Sequence, residues 1–220
     1  MSLQDLPPSQ AAVAEWLGRK YKVAPEPLAA LVAEAHLLAK KYKMSPYLIL
    51  SVMAVESGFN PFAQSSAGAQ GLMQVMTDIH QQRYALHGGT MAAFDPIANL
   101  RVGADVLAYC IKTKGGVMED GLRYYLGASE TTDDGGYVAK VLLEQERLTL
   151  VDSGVLGGAL NGWFITPSTG RVPSFRAIKV PHSGKPVMNA RVPSIGSSTQ
   201  VNGLLPTATP ASSPRMPCSG

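Results

Sequence analysis

The chain has 220 residues, 45% of them hydrophobic, with 19 Lys+Arg against 16 Asp+Glu and a formal net charge of +3 at pH 7. Residues 1–150 contain no basic stripe, which argues against nucleic acid as a substrate. Two cysteines are too few for a disulfide framework, and the longest apolar run, residues 48–55, is too short to cross a bilayer. No secretory signal is visible at the start. We therefore expect a soluble protein without a membrane span, whose export route the sequence does not explain.

Helical patterns begin at the N-terminus. Ser9 is a candidate N-cap for a first helix, "QAAVAEWLGRKY", which belongs to an N-terminal helical extension over residues 1–24. An amphipathic pattern follows in "PEPLAALVAEAHLLAKKYK", and the lysines at its C-terminal end suit the helix dipole. Ser45-Pro46 supplies an N-cap followed by proline at the first helical position. These signals predict three successive helices.

The third helix ends in a glutamate that its surroundings do not favour. In "YLILSVMAVES", Ser51 is the only polar residue among the first nine, and Glu56 then stands close to the helix end that Gly58 indicates. A helix that is apolar nearly all round is usually buried, and its C-terminal end carries the negative pole of the dipole. Both effects raise the pKa of a carboxyl group, which suits a proton donor near neutral pH. We therefore expect Glu56 to act as a general acid.

A loop rich in glycine and small polar residues, "SGFNPFAQSSAGAQG", separates Glu56 from the later helical patterns. Those patterns are "LMQVMTDIHQQRYAL", "DPIANLRVGADVLAYCIKTKGG", "VMEDGLRYYLGA" and "DDGGYVAKVLLEQERLTLV". No convincing alternating strand pattern precedes residue 150. We predict an all-α domain of six to eight helices over residues 1–150, in which Cys110 is a small buried hydrophobe.

The composition changes after residue 150. Residues 1–150 carry 13 Lys+Arg and 15 Asp+Glu, whereas residues 151–220 carry six Lys+Arg and one Asp and are rich in Gly, Ser and Pro. The apolar surface there is too small to offset the entropy of ordering. Residues 151–220 are therefore predicted to be a flexible, disordered, basic tail. Within the tail, Trp163-Phe164-Ile165 is either a partly ordered linker or a docking peptide for a partner.

The segment "ESGFNPFAQSSAGAQGLMQVM", residues 56–76, resembles the central motif of the soluble lytic transglycosylases (SLT domain). These are bacterial enzymes with a goose-type lysozyme-like fold that cleave the glycan strand of peptidoglycan. Their motif places a Glu-Ser pair at the end of a buried helix, then a Ser/Gly-rich loop, then Gly-Leu-Met-Gln. The blocks "FDPIANLRVGADVLAYCIKTKGG", "GLRYYLGA" and "GGYVAKVL" resemble later parts of the family pattern. The resemblance extends over roughly residues 30–150 and implies a lysozyme-like helical domain.

The resemblance also implies roles for individual positions. Glu56 would be the sole catalytic acid and base. Ser65 and Gln74 would contact the saccharide and help to orient the glutamate, and Met76 would line the cleft. Ser57 would either belong to the substrate site or satisfy the carbonyl groups at the helix end. Each of these roles is an expectation carried over from the family motif to the matching residue.

The tyrosine motif of the family, Tyr-Asn-Ala-Gly, is replaced here by "YYLGA", which aligns in two ways. Tyr125 keeps the usual spacing from Leu122, whereas Tyr124 keeps the spacing to Gly127; we prefer Tyr125 as the residue of the cleft. The missing asparagine weakens the expectation of saccharide contacts at this rim. Tyr137, in "GGYVAKVL", matches a tyrosine on the far wall of the cleft, and packing between two helices is its alternative role.

The implied reaction is non-hydrolytic cleavage of the MurNAc-GlcNAc β-1,4 bond, which leaves 1,6-anhydroMurNAc ends and needs no cofactor. Ordinary glycosidases use two carboxylates, and no second one is evident, so we expect the N-acetyl group of the substrate to assist. Two alternatives stay open. One is a goose-type lysozyme in which Asp78 or Asp95 positions a water, and the other is a non-catalytic peptidoglycan-binding or assembly protein. The histidines show no metal-ligand spacing, so no metal site is predicted.

Peptidoglycan glycan strands are the expected partner, and this substrate implies a periplasmic or cell-surface location. A secretion or conjugation apparatus is a further expected partner, contacted through the basic tail of residues 151–220. That second expectation rests on analogy with enzymes that open the wall for such machines. Neither nucleic acid nor a membrane is expected to bind.

Overall fold

The computed structural model describes residues 1–128 and 133–156, so most of the predicted tail, including Trp163-Phe164-Ile165, lies outside the described residues. The prediction of an all-α fold is confirmed within these ranges, where the chain forms seven α-helices: α1 (Pro8–Tyr21), α2 (Pro25–Tyr42), α3 (Pro46–Ser57), α4 (Gln81–Ala85), α5 (Pro96–Thr113), α6 (Met118–Leu126) and α7 (Tyr137–Asp152). Short 3₁₀ turns cover Leu3–Asp5 and Thr90–Phe94. None of these helices is long and apolar enough to span a bilayer.

Proline starts four of the helices, α1, α2, α3 and α5, because its fixed φ suits the first helical position. The predicted cap at Ser45 is confirmed: its Oγ accepts a hydrogen bond from the main-chain N–H of Tyr47 at 3.2 Å. The predicted cap at Ser9 is wrong. Helix α1 starts at Pro8, two residues before the predicted start at Gln10, and has no side-chain cap.

Helix α3 lies at the centre of the core. All residues from Tyr47 to Ala54 are buried, and α3 packs against both α2 and α7. Helix α1 packs into the same core, with Val13, Ala14 and Leu17 fully buried against α2 and α7. Helix α1 precedes the residues that resemble the family, and it is nevertheless part of the same core as α3 and α7.

The structure differs from the sequence prediction between residues 72 and 80, where the pattern "LMQVMTDIHQQRYAL" predicts a helix. Residues 71–74 form a turn, and β1 (Ala69–Gln70) pairs antiparallel with β2 (Val75–Met76); α4 begins only at Gln81. Two backbone conformations prevent a helix here, because Gly71 and Gln74 both have positive φ, 76° and 47°. The prediction failed because two-residue strands are too short to show alternation.

Helices α5 and α6 pack closely, since a Cβ at Gly121 would lie 2.6 Å from the Cα of Ile111. Cys110 on α5 is fully buried, as predicted. The other cysteine of the sequence, Cys218, lies outside the described residues.

Candidate active site

Glu56 is the penultimate residue of α3, and its side chain is half-buried. The helix ends there because Gly58 takes the left-handed conformation, φ 58°, and its N–H bonds the carbonyl of Ala54 at 3.1 Å. Tyr137, the first residue of α7, donates a hydrogen bond from Oη to Glu56 Oε1 at 2.9 Å. Since Tyr137 is 6% exposed, its hydroxyl is held against the carboxyl group by the packing of α7 on α3.

The hydroxyl of Ser57 is engaged at the helix end. Its Oγ donates to the carbonyl of Met53 at 3.1 Å and accepts from the N–H of Phe59 at 3.1 Å. Phe59 has a positive φ of 66°, which an L-residue seldom adopts. Ser57 therefore stabilises a strained turn directly after Glu56, which is the second of the two roles considered for it. Contact with substrate stays a prediction for this residue.

Ser65 closes the loop that follows. Its Oγ accepts the N–H of Ala69 at 3.0 Å, and its own N–H bonds the carbonyl of Ala69 at 2.9 Å. Ser65 is half-buried. The hydroxyl keeps one proton to donate, so the predicted saccharide contact is chemically available to it.

Gln74 holds the loop together from within. Its side chain is 6% exposed, and Nε2 donates to the carbonyls of Ala63 and Gly71, each at 3.0 Å. These two bonds join the loop after Glu56 to the Gly-Leu-Met-Gln turn. The structure thus gives Gln74 a role in holding the loop, while its predicted saccharide contact and its predicted help in orienting Glu56 stay predictions.

The two methionines of the motif have different environments. Met73 is fully buried, and a Cβ at Gly103 would lie 2.5 Å from its sulfur, so α5 must present glycine there. Met76, on β2, is half-buried, and its Cε lies 4.0 Å from the Cβ position of Gly68. Met73 is a core residue, whereas Met76 retains exposed surface on the hairpin, as a residue lining a cleft requires.

The two neighbouring tyrosines of α6 also have different environments. Tyr125 is buried, and its Oη donates to the carbonyl of Met73 at 2.7 Å. Tyr124 is half-buried, and the Nζ of Lys114 lies 5.2 Å from its ring centroid. Tyr125 is thus bound to the Gly-Leu-Met-Gln turn. Which of the two tyrosines touches substrate stays a prediction.

Asn99, on α5, supports the same turn, and the sequence prediction missed it. Its side chain is fully buried; Oδ1 accepts the N–H of Met73 at 2.8 Å, and Nδ2 lies within 3.0 Å of three acceptors, Gln70 O, Ala93 O and Tyr84 Oη. A signal was present, because an asparagine at a core position of a helix must find partners. Burial raises the pKa of Tyr84, which keeps its phenol neutral beside Asn99.

Asp78 and Asp95, the two candidates for a second catalytic carboxylate, have different environments in the structure. Asp95 caps α5, with Oδ1 accepting the N–H of Ala98 at 2.7 Å, as its position before proline predicts. Asp78 is exposed in the turn after β2 and does not precede a helix directly. Within residues 1–128 and 133–156, no group of three or more His, Cys, Asp or Glu side chains could hold a metal ion.

Parts of this chain are similar to a known protein family and to known proteins. Residues 35–138 match the family model described as Transglycosylase SLT domain. A 39-residue segment is 59% identical to the membrane-bound lytic murein transglycosylase C of Actinobacillus pleuropneumoniae serotype 5b (strain L20), covering 18% of this chain and 11% of that protein. A 131-residue segment is 31% identical to the protein of the same name from Serratia proteamaculans (strain 568), covering 56% of this chain and 36% of that protein.

Among solved structures, an inactive mutant of the lytic transglycosylase Slt from Pseudomonas aeruginosa aligns with a TM-score of 0.41 and 20% identity, covering 59% of this chain and 24% of that chain. The present chain spans little more than a third of the length of the curated relatives, at most. The matched residues contain α3, the Gly-Leu-Met-Gln turn and the first residues of α7. The similarity to the Transglycosylase SLT domain thus covers residues 35–138, slightly less than half of the chain.

Proposed function

We propose that the protein is a peptidoglycan lytic transglycosylase that cleaves the MurNAc-GlcNAc β-1,4 bond without water and leaves 1,6-anhydroMurNAc ends. The observation that carries the proposal is the 2.9 Å hydrogen bond from Tyr137 to Glu56 at the end of a buried helix. It lies in a Transglycosylase SLT domain, and the relatives are named lytic murein transglycosylases.

In the first step Glu56 acts as an acid. The carbonyl oxygen of the N-acetyl group on MurNAc attacks the anomeric carbon of the same sugar. The bond from that carbon to the glycosidic oxygen breaks, and Glu56 transfers its proton to this oxygen, so that GlcNAc leaves as an alcohol. The Tyr137 hydrogen bond to Oε1 orients the carboxyl group of Glu56 for this transfer. The products of this step are an oxazolinium ion and a glutamate carboxylate.

In the second step Glu56 acts as a base. Its carboxylate removes the proton from the 6-hydroxyl of the same MurNAc, and O6 attacks the anomeric carbon. The carbon-oxygen bond of the oxazolinium ion breaks, which restores the N-acetyl group and forms the 1,6-anhydro ring. Glu56 ends the cycle protonated, and neither water nor a cofactor is consumed.

Tyr137 would stabilise the charged intermediate state of Glu56. A hydrogen bond to a carboxylate is stronger than one to a neutral carboxyl group, so the Tyr137 bond strengthens when Glu56 has given up its proton. An interaction that strengthens along the reaction lowers the barrier, whereas equal binding of both states does not. We therefore assign Tyr137 to catalysis. The loop and turn beside Glu56 are held by Gln74, Tyr125 and Asn99.

The placement of the two aspartates favours this reaction over hydrolysis by a goose-type lysozyme. Asp95 is used as a helix cap and Asp78 is exposed in a turn, so neither is held in the way Glu56 is. A single oriented carboxyl group suits substrate assistance, in which the N-acetyl group replaces the second carboxylate. The third alternative, binding without turnover, does not require an oriented proton donor.

The substrate of the proposed reaction lies in the cell envelope, which gives the proposed location as the periplasm or the cell surface. Peptidoglycan glycan strands are the proposed partner. Contact with a secretion or conjugation apparatus through the tail stays a prediction, because the tail beyond residue 156 lies outside the described residues.

Digestion of purified sacculi followed by mass analysis of the glycan ends tests the proposal. We expect soluble muropeptides with 1,6-anhydroMurNAc ends from the wild-type protein. Reducing MurNAc ends, heavier by the mass of one water, would identify a hydrolase instead. Binding to sacculi without soluble products would identify a non-catalytic protein.

A further inference from the structure

Tyr21, the last residue of α1, contacts both the turn that follows α3 and helix α7. Its ring packs on Phe59, which follows α3, with centroids 5.1 Å apart and planes inclined at 55°. Its Cδ1 lies 3.7 Å from the Cβ position of Gly58. On the other side its Oη donates to Glu144 Oε1 of α7 at 2.7 Å. A single side chain thus connects the end of α3 to α7.

The α7 side of this connection is a buried carboxylate. Glu144 is 3% exposed and accepts hydrogen bonds from Lys20 Nζ, Tyr21 Oη and Arg147 Nη1, the last at 3.3 Å. A buried carboxylate is costly unless it is paired, so a hydrophobic residue would be the simpler choice for packing alone. What the cluster provides is a directional attachment of α1 to α7.

The α3 side of the connection is a strained turn. Gly58 and Phe59 both have positive φ, 58° and 66°, and they follow Glu56 by two and three residues. Two features offset the cost of this conformation at Phe59. The residue is only 3% exposed, and its N–H donates a hydrogen bond to Ser57 Oγ. The ring of Tyr21 covers this turn, so its position restricts where α3 can end and where Glu56 can point.

Glu144 lies seven residues after Tyr137, about two helical turns along α7 and on the same face. A shift of α7 at Glu144 therefore moves Tyr137 as well, because a helix of this length moves as a unit. Tyr21 sets the spacing of α3 and α7 near Glu144, and the Tyr137 to Glu56 bond is formed across the same interface.

We propose that Tyr21 is a positioning residue for the Glu56–Tyr137 pair, acting through Phe59 in the turn after α3 and through Glu144 on α7. The inference rests on the proposed function for its catalytic consequence. It extends the catalytic unit to α1 (Pro8–Tyr21), which precedes the residues 35–138 that match the family.

Kinetic measurements on sacculi test the proposal with three variants. Tyr21→Leu removes the aromatic contact and the hydrogen bond, whereas Tyr21→Phe keeps the ring and removes only the hydrogen bond to Glu144. Since small misplacements of catalytic groups reduce rates by up to about a hundredfold, we expect Tyr21→Leu to lower kcat at least about tenfold with little change in KM. Tyr21→Phe should restore part of that loss. Arg19→Ala, on the exposed side of α1, serves as the control and should retain the wild-type kcat.

A double-mutant cycle distinguishes positioning from general stabilisation. In a Tyr137→Phe background, Tyr21→Leu should lower kcat much less than in the wild type, because the hydrogen bond that it positions is already absent. An equally large loss in both backgrounds would overturn the proposal. All kinetic assays are run well below the unfolding temperature of each variant, which is measured in parallel.

A titration that does not depend on turnover separates this proposal from the proposed function. The side-chain carboxyl carbon of Glu56 is followed by NMR across pH in carbon-labelled protein without substrate. Tyr21→Leu should move the titration midpoint of Glu56, and Arg19→Ala should leave it unchanged. An unchanged midpoint in Tyr21→Leu would overturn the positioning role, even if the protein produces anhydro ends. A moved midpoint without such ends would support the positioning role and contradict the proposed function.

Discussion

Tyr137 and Glu56 are 81 residues apart in the sequence, yet the phenol of the first donates to the carboxyl group of the second at 2.9 Å. The bond joins the start of α7 to the end of α3. It converts a glutamate at the end of an apolar helix into a carboxyl group with a fixed orientation. The other supporting contacts, from Gln74, Tyr125 and Asn99, act on the neighbouring loop and turn.

Removing the hydroxyl of Tyr137 should slow the reaction without unfolding the protein. A hydrogen bond to a charged group contributes about 1.5–3 kcal/mol, so Tyr137→Phe should lower kcat by about 10- to 100-fold. The measurement is release of soluble muropeptides from sacculi. Tyr42→Phe is the matched control, since it removes a tyrosine bond to a carboxylate, Asp105 at 3.0 Å, away from Glu56. Equal rates for the two variants would contradict the role assigned to Tyr137.

A methyl group at Gly71 should destabilise the Gly-Leu-Met-Gln turn. Its Cβ would lie 2.2 Å from the carbonyl oxygen of Ala93 and 2.3 Å from Nδ2 of Asn99. Gly88 also has a positive φ, 99°, but a Cβ there meets nothing within 4 Å. Gly88→Ala should therefore cost about 1–2 kcal/mol for the left-handed backbone alone.

Gly71→Ala should exceed that cost by about 2 kcal/mol or more, because strain and steric overlap add. Urea unfolding of both variants gives the comparison. If the two alanine variants have the same free energy of unfolding, the close packing around Gly71 does not contribute to stability.

Replacing Asn99 by alanine should lower both stability and activity. The change leaves the N–H of Met73 and the carbonyls of Gln70 and Ala93 without this partner. Unsatisfied buried groups cost about 1–3 kcal/mol each, so Asn99→Ala should lose about 2–5 kcal/mol. The free energy of unfolding is measured in urea.

Asn60→Ala is the surface comparison for Asn99, because its Oδ1 accepts one exposed hydrogen bond, from Phe62 N–H. It should cost about 0.5–1 kcal/mol. A loss at Asn99 no larger than the loss at Asn60 would show that the buried network is dispensable.

Much of the helical framework could be predicted because its signals are local. Proline at the first helical position, the Ser45 cap and the nearly continuous apolar run of α3 all lie within one helix. The position of Glu56 at the end of α3 followed from the same run and from Gly58. The family motif added Tyr137, whose contact with Glu56 depends on how α7 packs.

The hairpin and the particular partners of its supporting side chains could not be predicted, because these contacts join residues that are distant in sequence. Asn99 is 26 residues from Met73, and Tyr125 is 52 residues from it, yet both bond the main chain of that residue. Spacing in the sequence could not decide which of Tyr124 and Tyr125 contacts the turn. Adjacent residues of a helix point towards different neighbours, and those neighbours depend on how the helix packs. The contact of Tyr21 with Glu144 spans 123 residues and has no local signal.

Acid should destabilise the protein through His80. This residue is 3% exposed, and burial, together with the positive charge of Arg83, lowers its pKa from 6.5 to about 4, although Asp105 acts in the opposite direction. The unfolded state then binds more protons than the folded state between these pH values, so stability is complete above pH 6.5 and falls as the pH drops towards 4.

The shift corresponds to a loss of about 3 kcal/mol at most. Urea unfolding at pH 7 and pH 4.5 measures it, and His80→Gln should reduce the difference between the two. Part of the difference should persist, because burial also lowers the pKa of His36. A pH dependence identical in His80→Gln and the wild type would contradict this assignment.

The most direct measurement of the central claim is digestion of sacculi in water enriched in heavy oxygen, with wild-type protein and Glu56→Gln in parallel. The account predicts wild-type products that carry no heavy oxygen at the new MurNAc ends, because O6 of the same sugar closes the ring. It predicts that Glu56→Gln keeps its fold but loses at least about 10²- to 10⁴-fold in rate. Heavy oxygen in the new ends, or undiminished release by Glu56→Gln, would contradict it.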